Sequence, residues 1–412
     1  MREMKDSGIE WIGQIANTHK LVRLKYIAEI LDEYRKPVTA QYRNQNADIL
    51  YDYYGASGII DKIDGYTIDD HVMLIGEDGA NLKLRNLPLM YEVCGKAWIN
   101  NHAHILKPMK NVDFYYLFYA LESLDINNYI TGSAQPKLNQ ENLKEIWIPL
   151  PSYGIQRKVA SYLDTKCSEI DATAEDIQKE ISLLEDYKKS VITEAVTKGL
   201  NPDAEMKDSG IEWVGKVPVT WKIMPNKYIM TKKKVIKEVY DDENIISLSM
   251  NGVIVRDLEA GGKMPKTFDG YQIVYPGNLL MCLFDYDVTP RCIGLIKDYG
   301  VTSPAYSQFV MNNDNYSGYY YYYYLMIDHA KTLLHLAKNL RHSFTEEQLG
   351  AILAPVPTVE EQYQIVNYLD TKCSEIDTLI ADKKRQLDTL ADYKKSLIYE
   401  YVTGKKEVPV NE

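Results

Sequence analysis

Tyr162-Leu163-Asp164-Thr165-Lys166-Cys167-Ser168-Glu169-Ile170-Asp171 returns without change as Tyr368 through Asp377, 206 residues later. Asp186-Tyr187-Lys188-Lys189-Ser190 returns as Asp392 through Ser396 at the same spacing. Met4 through Gly13 returns as Met206 through Gly215 at a spacing of 202, with Ile12 replaced by Val214. Half of the 412 residues is 206, so the chain is one unit written twice. A solenoid repeat is far shorter, about 20–50 residues, so this is a tandem duplication of a domain with its appended helix. The ends of the two copies are nearly identical, whereas 30–130 and 232–335 share little. A duplicated scaffold with two divergent inserts implies two similar binding modules with different targets.

The repeated segment reads as a long helix. Leu163, Ile170, Ile177, Leu184 and Val191 recur every seven residues, with Cys167, Ala174, Ile181 and Ala195 four positions later; Lys188 breaks that second row. This is a coiled-coil seam. The second copy repeats it with Leu369, Ile376, Leu390 and Leu397, and with Cys373, Ile380, Leu387 and Tyr401. Pro149 and Pro151, then Pro355 and Pro357, precede the two helices, while Gly199 and Gly404 follow them. Each helix is expected to run about 43 residues, roughly 60 Å. Neither buries its seam alone, so the two are expected to pair antiparallel.

Between the repeated ends, short strand-like runs such as Ile246–Ser249 and Val253–Val255 lie among turn residues. Each module then has a Tyr-rich helical stretch, Phe114–Leu124 and Tyr319–Leu336. At a spacing of 206, Tyr319–Tyr324 lies opposite Asp113–Phe118, as a packing face. The fold class expected is α+β: two mixed α/β domains related by the internal repeat, separated by two long antiparallel coiled-coil helices. The segments are 1–150, the first module; 151–200, the first spacer helix; 201–356, the second module; and 357–412, the second spacer helix and tail.

The composition excludes whole classes. With 45% hydrophobic and 25% charged residues the chain is neither disordered nor fibrous. No apolar run approaches the roughly 20 residues of a membrane span, and the N-terminus lacks a signal-peptide core, so a cytoplasmic protein is expected. Five cysteines without a CxxC argue against a disulfide framework or zinc knuckle. Motifs for nucleotide binding, metalloproteolysis, serine hydrolysis and amino-methyl transfer are missing, so no catalytic residue and no metal site is assigned. Pro202, Asp203, Glu205 and Lys207 mimic a nuclease signature, but its acids belong on separated strands around a metal. His102 and His104 have no Cys, Asp or Glu at ligand spacing beside them.

Binding remains. The net charge is −11, yet Lys222 to Lys237 holds six lysines and no acid, and Tyr34 to Ala47 and Thr332 to Thr345 are likewise basic without acids. Local clustering rather than net charge decides what a surface attracts. Such segments suit phosphate contacts, with Arg, Asn, Gln and Tyr reaching base edges.

Three further stretches complete the pattern: Tyr53-Tyr54-Gly55-Ala56-Ser57-Gly58-Ile59-Ile60, Gly76-Glu77-Asp78-Gly79-Ala80-Asn81 and Gly132-Ser133-Ala134-Gln135-Pro136-Lys137-Leu138. With the Lys5–Trp11 opening of each repeat and the Tyr162–Asp171 segment, the chain resembles the specificity subunit of type I restriction–modification enzymes over essentially its whole length. The resemblance implies that each module is a target-recognition domain reading one half of a bipartite, asymmetric DNA sequence. It implies that the paired helices set the spacing and dock two adenine-N6 methyltransferase subunits, and that restriction subunits join them. S-adenosylmethionine, ATP and Mg2+ then belong to those partners, and this chain is a non-catalytic member of a phage-defence complex on the nucleoid. A coiled-coil scaffold with protein-binding ends is the alternative. DNA contacts are expected at Arg35, Lys36, Arg43, Lys83, Arg85 and Lys137, and in the family-like loops at Tyr54, Ser57 and Gln135. In the second module they are expected at Lys232, Lys233, Lys234, Arg256, Lys263, Arg291 and Arg341. The first copy departs from the second at Ala16-Asn17-Thr18-His19 against Pro218-Val219-Thr220-Trp221, which makes His19 a substituted packing position.

Overall fold

The computed structural model describes residues 3–39, 49–132, 135–259, 265–337 and 342–409. Arg43, Lys263 and Arg341 lie outside the described residues. The two long helices run Tyr153–Lys198 and Val359–Val402, 46 and 44 residues. Each follows a short Pro-containing strand, Trp147–Leu150 or Leu353–Val356. Each ends at a glycine in the left-handed region, Gly199 at φ 74° and Gly404 at φ 72°, where a residue with a Cβ is strained. Thr358 and Glu361 close a reciprocal cap on the second helix, Glu361 accepting from the Thr358 N–H and Thr358 Oγ1 from the Glu361 N–H.

The chain forms two compact units, Met1–Ile177 with Arg385–Glu412, and Gln178–Lys384. They are drawn differently from the four sequence segments, because each unit takes the start of one long helix and the end of the other. Within each, the helices pair antiparallel. In the first unit the Tyr162 and Tyr401 rings stand 4.6 Å apart and Lys394 Nζ lies 2.6 Å from Asp171. In the second, Lys188 Nζ lies 2.6 Å from Asp377 and Lys383 Nζ 2.5 Å from Glu180. Leu163, Ile177, Val191, Leu369, Ile376 and Leu397 are buried along the seam, whereas Ile170, Leu184 and Leu390 are half-buried. Leu163 and Leu397 merge into the core of the first unit, Val191 and Leu369 into that of the second.

Both units reuse the same small sheets. Met4–Asp6 pairs with Gln14–Ala16, and Lys20–Arg23 with Trp147–Leu150. The second unit repeats this with Met206–Asp208 on Lys216–Pro218 and Lys222–Pro225 on Leu353–Val356. The inserts differ. The first is a six-stranded sheet in the order Ala28–Ile30, Ala103–Pro108, Ile68–Gly76, Met90–Ile99, Tyr51–Gly55, Gly58–Ile63. The second has a four-stranded sheet, Met230–Lys233, Ser307–Met311, Leu279–Met281 and Ile293–Leu295. Beside it lie two-stranded ribbons, Ile246–Ser249 with Gly252–Val255 and Gln272–Val274 with Gly300–Thr302.

The Tyr-rich helices, Phe114–Ser123 and Ser317–His329, pack against the long helices, but their correspondence is 203 residues rather than 206. The N–H groups of Asp113 and Tyr316 donate to Gln156 and Gln362. Tyr116 and Tyr319 donate to the carbonyls of Val402 and Val196, and Tyr119 and Tyr322 to Asp164 and Asp370. Tyr319 therefore keeps the role of Tyr116. Tyr320, Tyr323 and Tyr324 stand where the first copy has Leu117, Ala120 and Leu121, and are buried.

Candidate nucleic-acid interface

In the first unit, the three family-like stretches converge at one set of loops. The turn Ala56-Ser57 joins Tyr51–Gly55 to Gly58–Ile63. A Cβ on Gly76 would stand 2.8 Å from the Ala56 carbonyl, so only glycine admits the turn there. The loop after Gly76 is tied to the third stretch by Gly79 N–H to Pro136 O, 3.1 Å, and Leu138 N–H to Glu77 O, 2.8 Å. Asn100 N–H closes on Tyr54 O at 2.9 Å and Glu77 N–H on His102 O at 2.8 Å.

A polar network braces these loops. Asp32 accepts from the Ile105 N–H at 3.1 Å and lies 2.7 Å from His104 Nδ1 and 3.1 Å from Arg35. Arg35 also pairs with Glu77, which Lys137 meets at 3.0 Å. Burial opposes ionisation of Asp32 and Glu77. The contacts to His104, Ile105 and Arg35, and those of Glu77 to Lys137 and Arg35, outweigh it and hold both carboxyls below their ordinary range. His102 pairs with Asp78 at 2.7 Å, and among the described residues no group of three or more His, Cys, Asp or Glu is arranged to hold a metal.

The cations singled out from sequence therefore divide. Arg35 and Arg85 are half-buried and bound to protein, Arg85 reaching the Glu122 and Leu124 carbonyls. Lys137 pairs with Glu77 yet keeps half of its side chain exposed. Lys36, Ser57, Lys83 and Gln135 are exposed, Lys83 Nζ lying 3.5 Å from Gly132 O. Tyr54 is buried on its strand, and burial raises its hydroxyl pKa. In the second unit Lys232 pairs with Glu346, and Lys233 Nζ sits 3.8 Å over the Tyr275 ring. Lys234 is exposed and Arg256 half-buried. Arg291 donates to Ile293 O, Met250 O and the Tyr321 hydroxyl at 3.2, 3.0 and 2.5 Å.

Sequence reasoning missed the cross-helix pairs. Asp171 with Lys394 and Asp377 with Lys188 are one interaction made twice with the partners exchanged between copies. The signal was present, because Lys188, the break in the seam, recurs as Lys394 at the common spacing of 206. The buried thiols have no such partner role. Burial pushes Cys167 up to about 11 and also raises Cys373, which leaves both as small apolar seam residues. Among the described residues no helix is long and apolar enough to cross a membrane.

Two dissimilar modules therefore sit on scaffold contacts that the chain makes twice. Residues 17–183 match the family of the type I restriction modification DNA specificity domain. The chain is 32% identical over 141 residues to a Haemophilus influenzae protein named as type I restriction enzyme specificity subunit S.HindORF215P, spanning 35% of that protein. It is 25% identical over 405 residues to one named as the MjaX specificity subunit of Methanocaldococcus jannaschii, covering 94% of this chain and 84% of that protein. A solved chain from a type I R-M system superposes with a TM-score of 0.68 at 12% identity, covering 95% of this chain and 99% of its own, a likeness of fold. The match to the specificity domain falls on the first copy, and the second copy repeats the scaffold strands and long helix of that matched unit.

Proposed function

We propose that this chain supplies the DNA sequence specificity of a type I restriction–modification complex. Each module reads one half of a bipartite target, and because the modules differ the target is asymmetric. The long helices set the distance between half-sites and dock adenine-N6 methyltransferase subunits, to which restriction subunits add. S-adenosylmethionine, ATP and Mg2+ serve those partners, while this chain positions DNA and catalyses nothing itself. The observation that carries the reading is the exchange of whole inserts, a six-stranded sheet for a four-stranded one, on scaffold contacts that stay the same. Selection that preserves the mount and replaces the module is what independent half-site recognition requires. Exposed Lys36, Lys83, Lys137 and Lys234 suit phosphate contacts, which position the duplex without reading it.

The test is co-expression with the methyltransferase partner and single-molecule sequencing of N6-methyladenine in host DNA. A bipartite motif that disappears when this chain is deleted is the expected result. Replacing residues 206–350 by another such module is expected to change one half only. If the chain is instead a protein-binding scaffold, its complex shows no DNA affinity that falls steeply with salt.

A further inference from the structure

Both units carry the same device at different chain positions. In the first, Tyr51–Gly55 and Gly58–Ile63 form an antiparallel hairpin closed by the Gly55–Gly58 pair, with Ala56-Ser57 at the tip. In the second, Ile246–Ser249 and Gly252–Val255 are closed by the Ser249–Gly252 pair, with Met250-Asn251 at the tip. Gly58 and Gly252 take the left-handed conformation, φ 93° and 98°, at the same place in each. Neither tip residue of either hairpin does, so the backbone places no demand for Met or Asn at the second tip.

The tips are also fastened to their units. Gly58 lies against the Tyr91 ring, where a Cβ would stand 2.7 Å from Cε1, and Gly76 admits the Ala56 carbonyl. In the second unit Arg291 fastens the tip by donating to Met250 O while its other amino group reaches the Tyr321 hydroxyl. Arg291 is thereby a positioning residue. What the hairpins present outward is apolar and unpaired. Met250 is 73% exposed, and Ile59, Ile60, Ile254 and Val255 are 41–54% exposed. The Asn251 amide is exposed and makes no side-chain hydrogen bond among the described residues.

A two-stranded ribbon fits the major groove of B-DNA, where an amide pairs with adenine N6 and N7 and an apolar side chain covers a thymine methyl group. We infer that the two hairpin tips are base-reading elements, with Ser57 reading the first half-site, and with Asn251 reading an adenine and Met250 a thymine methyl in the second. This rests on the specificity-subunit reading above and names residues within it.

The test uses the whole complex with its methyltransferase partners and the same methylation sequencing. Asn251→Ala is expected to relax the second half-site at one A·T pair, discrimination there falling about 5- to 150-fold, the worth of one bidentate contact. Met250→Ala relaxes an adjacent position and Ser57→Ala a position of the first half-site, each leaving the other half intact. Asn251→Asp, nearly identical in shape but without the amide donors, gives the same loss at the adenine position if the Ala variant does not assemble. Unchanged half-sites in complexes of Asn251→Asp and Met250→Ala that still methylate DNA overturn the inference and leave the specificity reading standing. A wild-type complex that methylates no bipartite motif overturns both.

Discussion

The seats at the ends of the two long helices make the same contact with different side chains. Gly199 lies on Trp221, a Cβ there standing 3.2 Å from the indole, and Gly404 lies on His19, a Cβ there standing 2.6 Å from Cε1. Trp221 and His19 both occupy fully buried positions following the same small hairpin of each copy. Trp221 also donates to Glu361 at 3.1 Å and packs edge-on to Tyr319. His19 has Thr18 Oγ1 at 3.2 Å from Nδ1. Duplication has thus preserved backbone geometry, glycine and left-handed φ included, while the filling of the seat drifted. The mount is under tighter constraint than the side chain that fills it.

Breaking the larger filling should cost most. Trp221→Ala is expected to destabilise the second unit by about 3–5 kcal/mol, as truncating a buried aromatic does. His19→Ala should cost the first unit less, and denaturant titration of both variants checks the order.

Next comes the network of the first unit. Asp32→Asn removes a carboxylate that accepts charge-assisted hydrogen bonds, a loss of about 1.5–3 kcal/mol. Because the folded pKa values of Asp32 and Glu77 lie below their ordinary 3.8 and 4.5, their stabilisation is complete above those values. It is lost as pH falls through the depressed folded values. A stability profile from pH 6 to 2 should flatten at its acid end in Asp32→Asn.

The Tyr hydroxyls sharpen the comparison between the helices. Tyr319→Phe leaves the Val196 carbonyl without its donor, a loss of about 1 kcal/mol. Tyr116→Phe removes the donor from both Pro149 and Val402 and should cost more. The smallest effect belongs to the exchanged ion pairs. Asp377→Asn is expected to cost about 0.2–1 kcal/mol, fading at high salt, with Asp171→Asn indistinguishable from it.

The duplication, the seam and the antiparallel pairing were legible because periodicity survives in a single sequence. The Tyr-rich helices correspond at a spacing three residues below 206, since a spacing carried from the long helices ignores the longer path of the second copy, 46 residues from Tyr316 to Gln362 against 43 from Asp113 to Gln156. What pins the offset is a pair of contacts, Gln362 with the Tyr316 N–H and Tyr322 with Asp370, and neither is local in sequence. The same reason separates Arg35 and Arg85 from Lys36 and Lys83. All four read alike as basic residues of the first module, but besides the nearby Asp32, Arg35 pairs with Glu77, 42 residues away, and Arg85 with Glu122, 37 residues away. The hairpin tips escaped notice as a pair because Gly58 and Gly252 sit at a spacing that matches neither 202 nor 206.

The division of the chain has a consequence for synthesis. The second unit is one uninterrupted stretch, Gln178–Lys384, whereas the first needs Arg385–Glu412 to complete it. On the ribosome, the inner unit can therefore close as soon as its own stretch has emerged. The outer unit, begun first, must wait for Leu397, Tyr401 and Val402 to fill its core and for Gly404 to reach His19. Its half-finished apolar face stays open to solvent for the time taken to translate an entire second unit. Transiently exposed apolar surface is prone to aggregation, so that interval is expected to expose the first-made unit to misassembly for longer than the second.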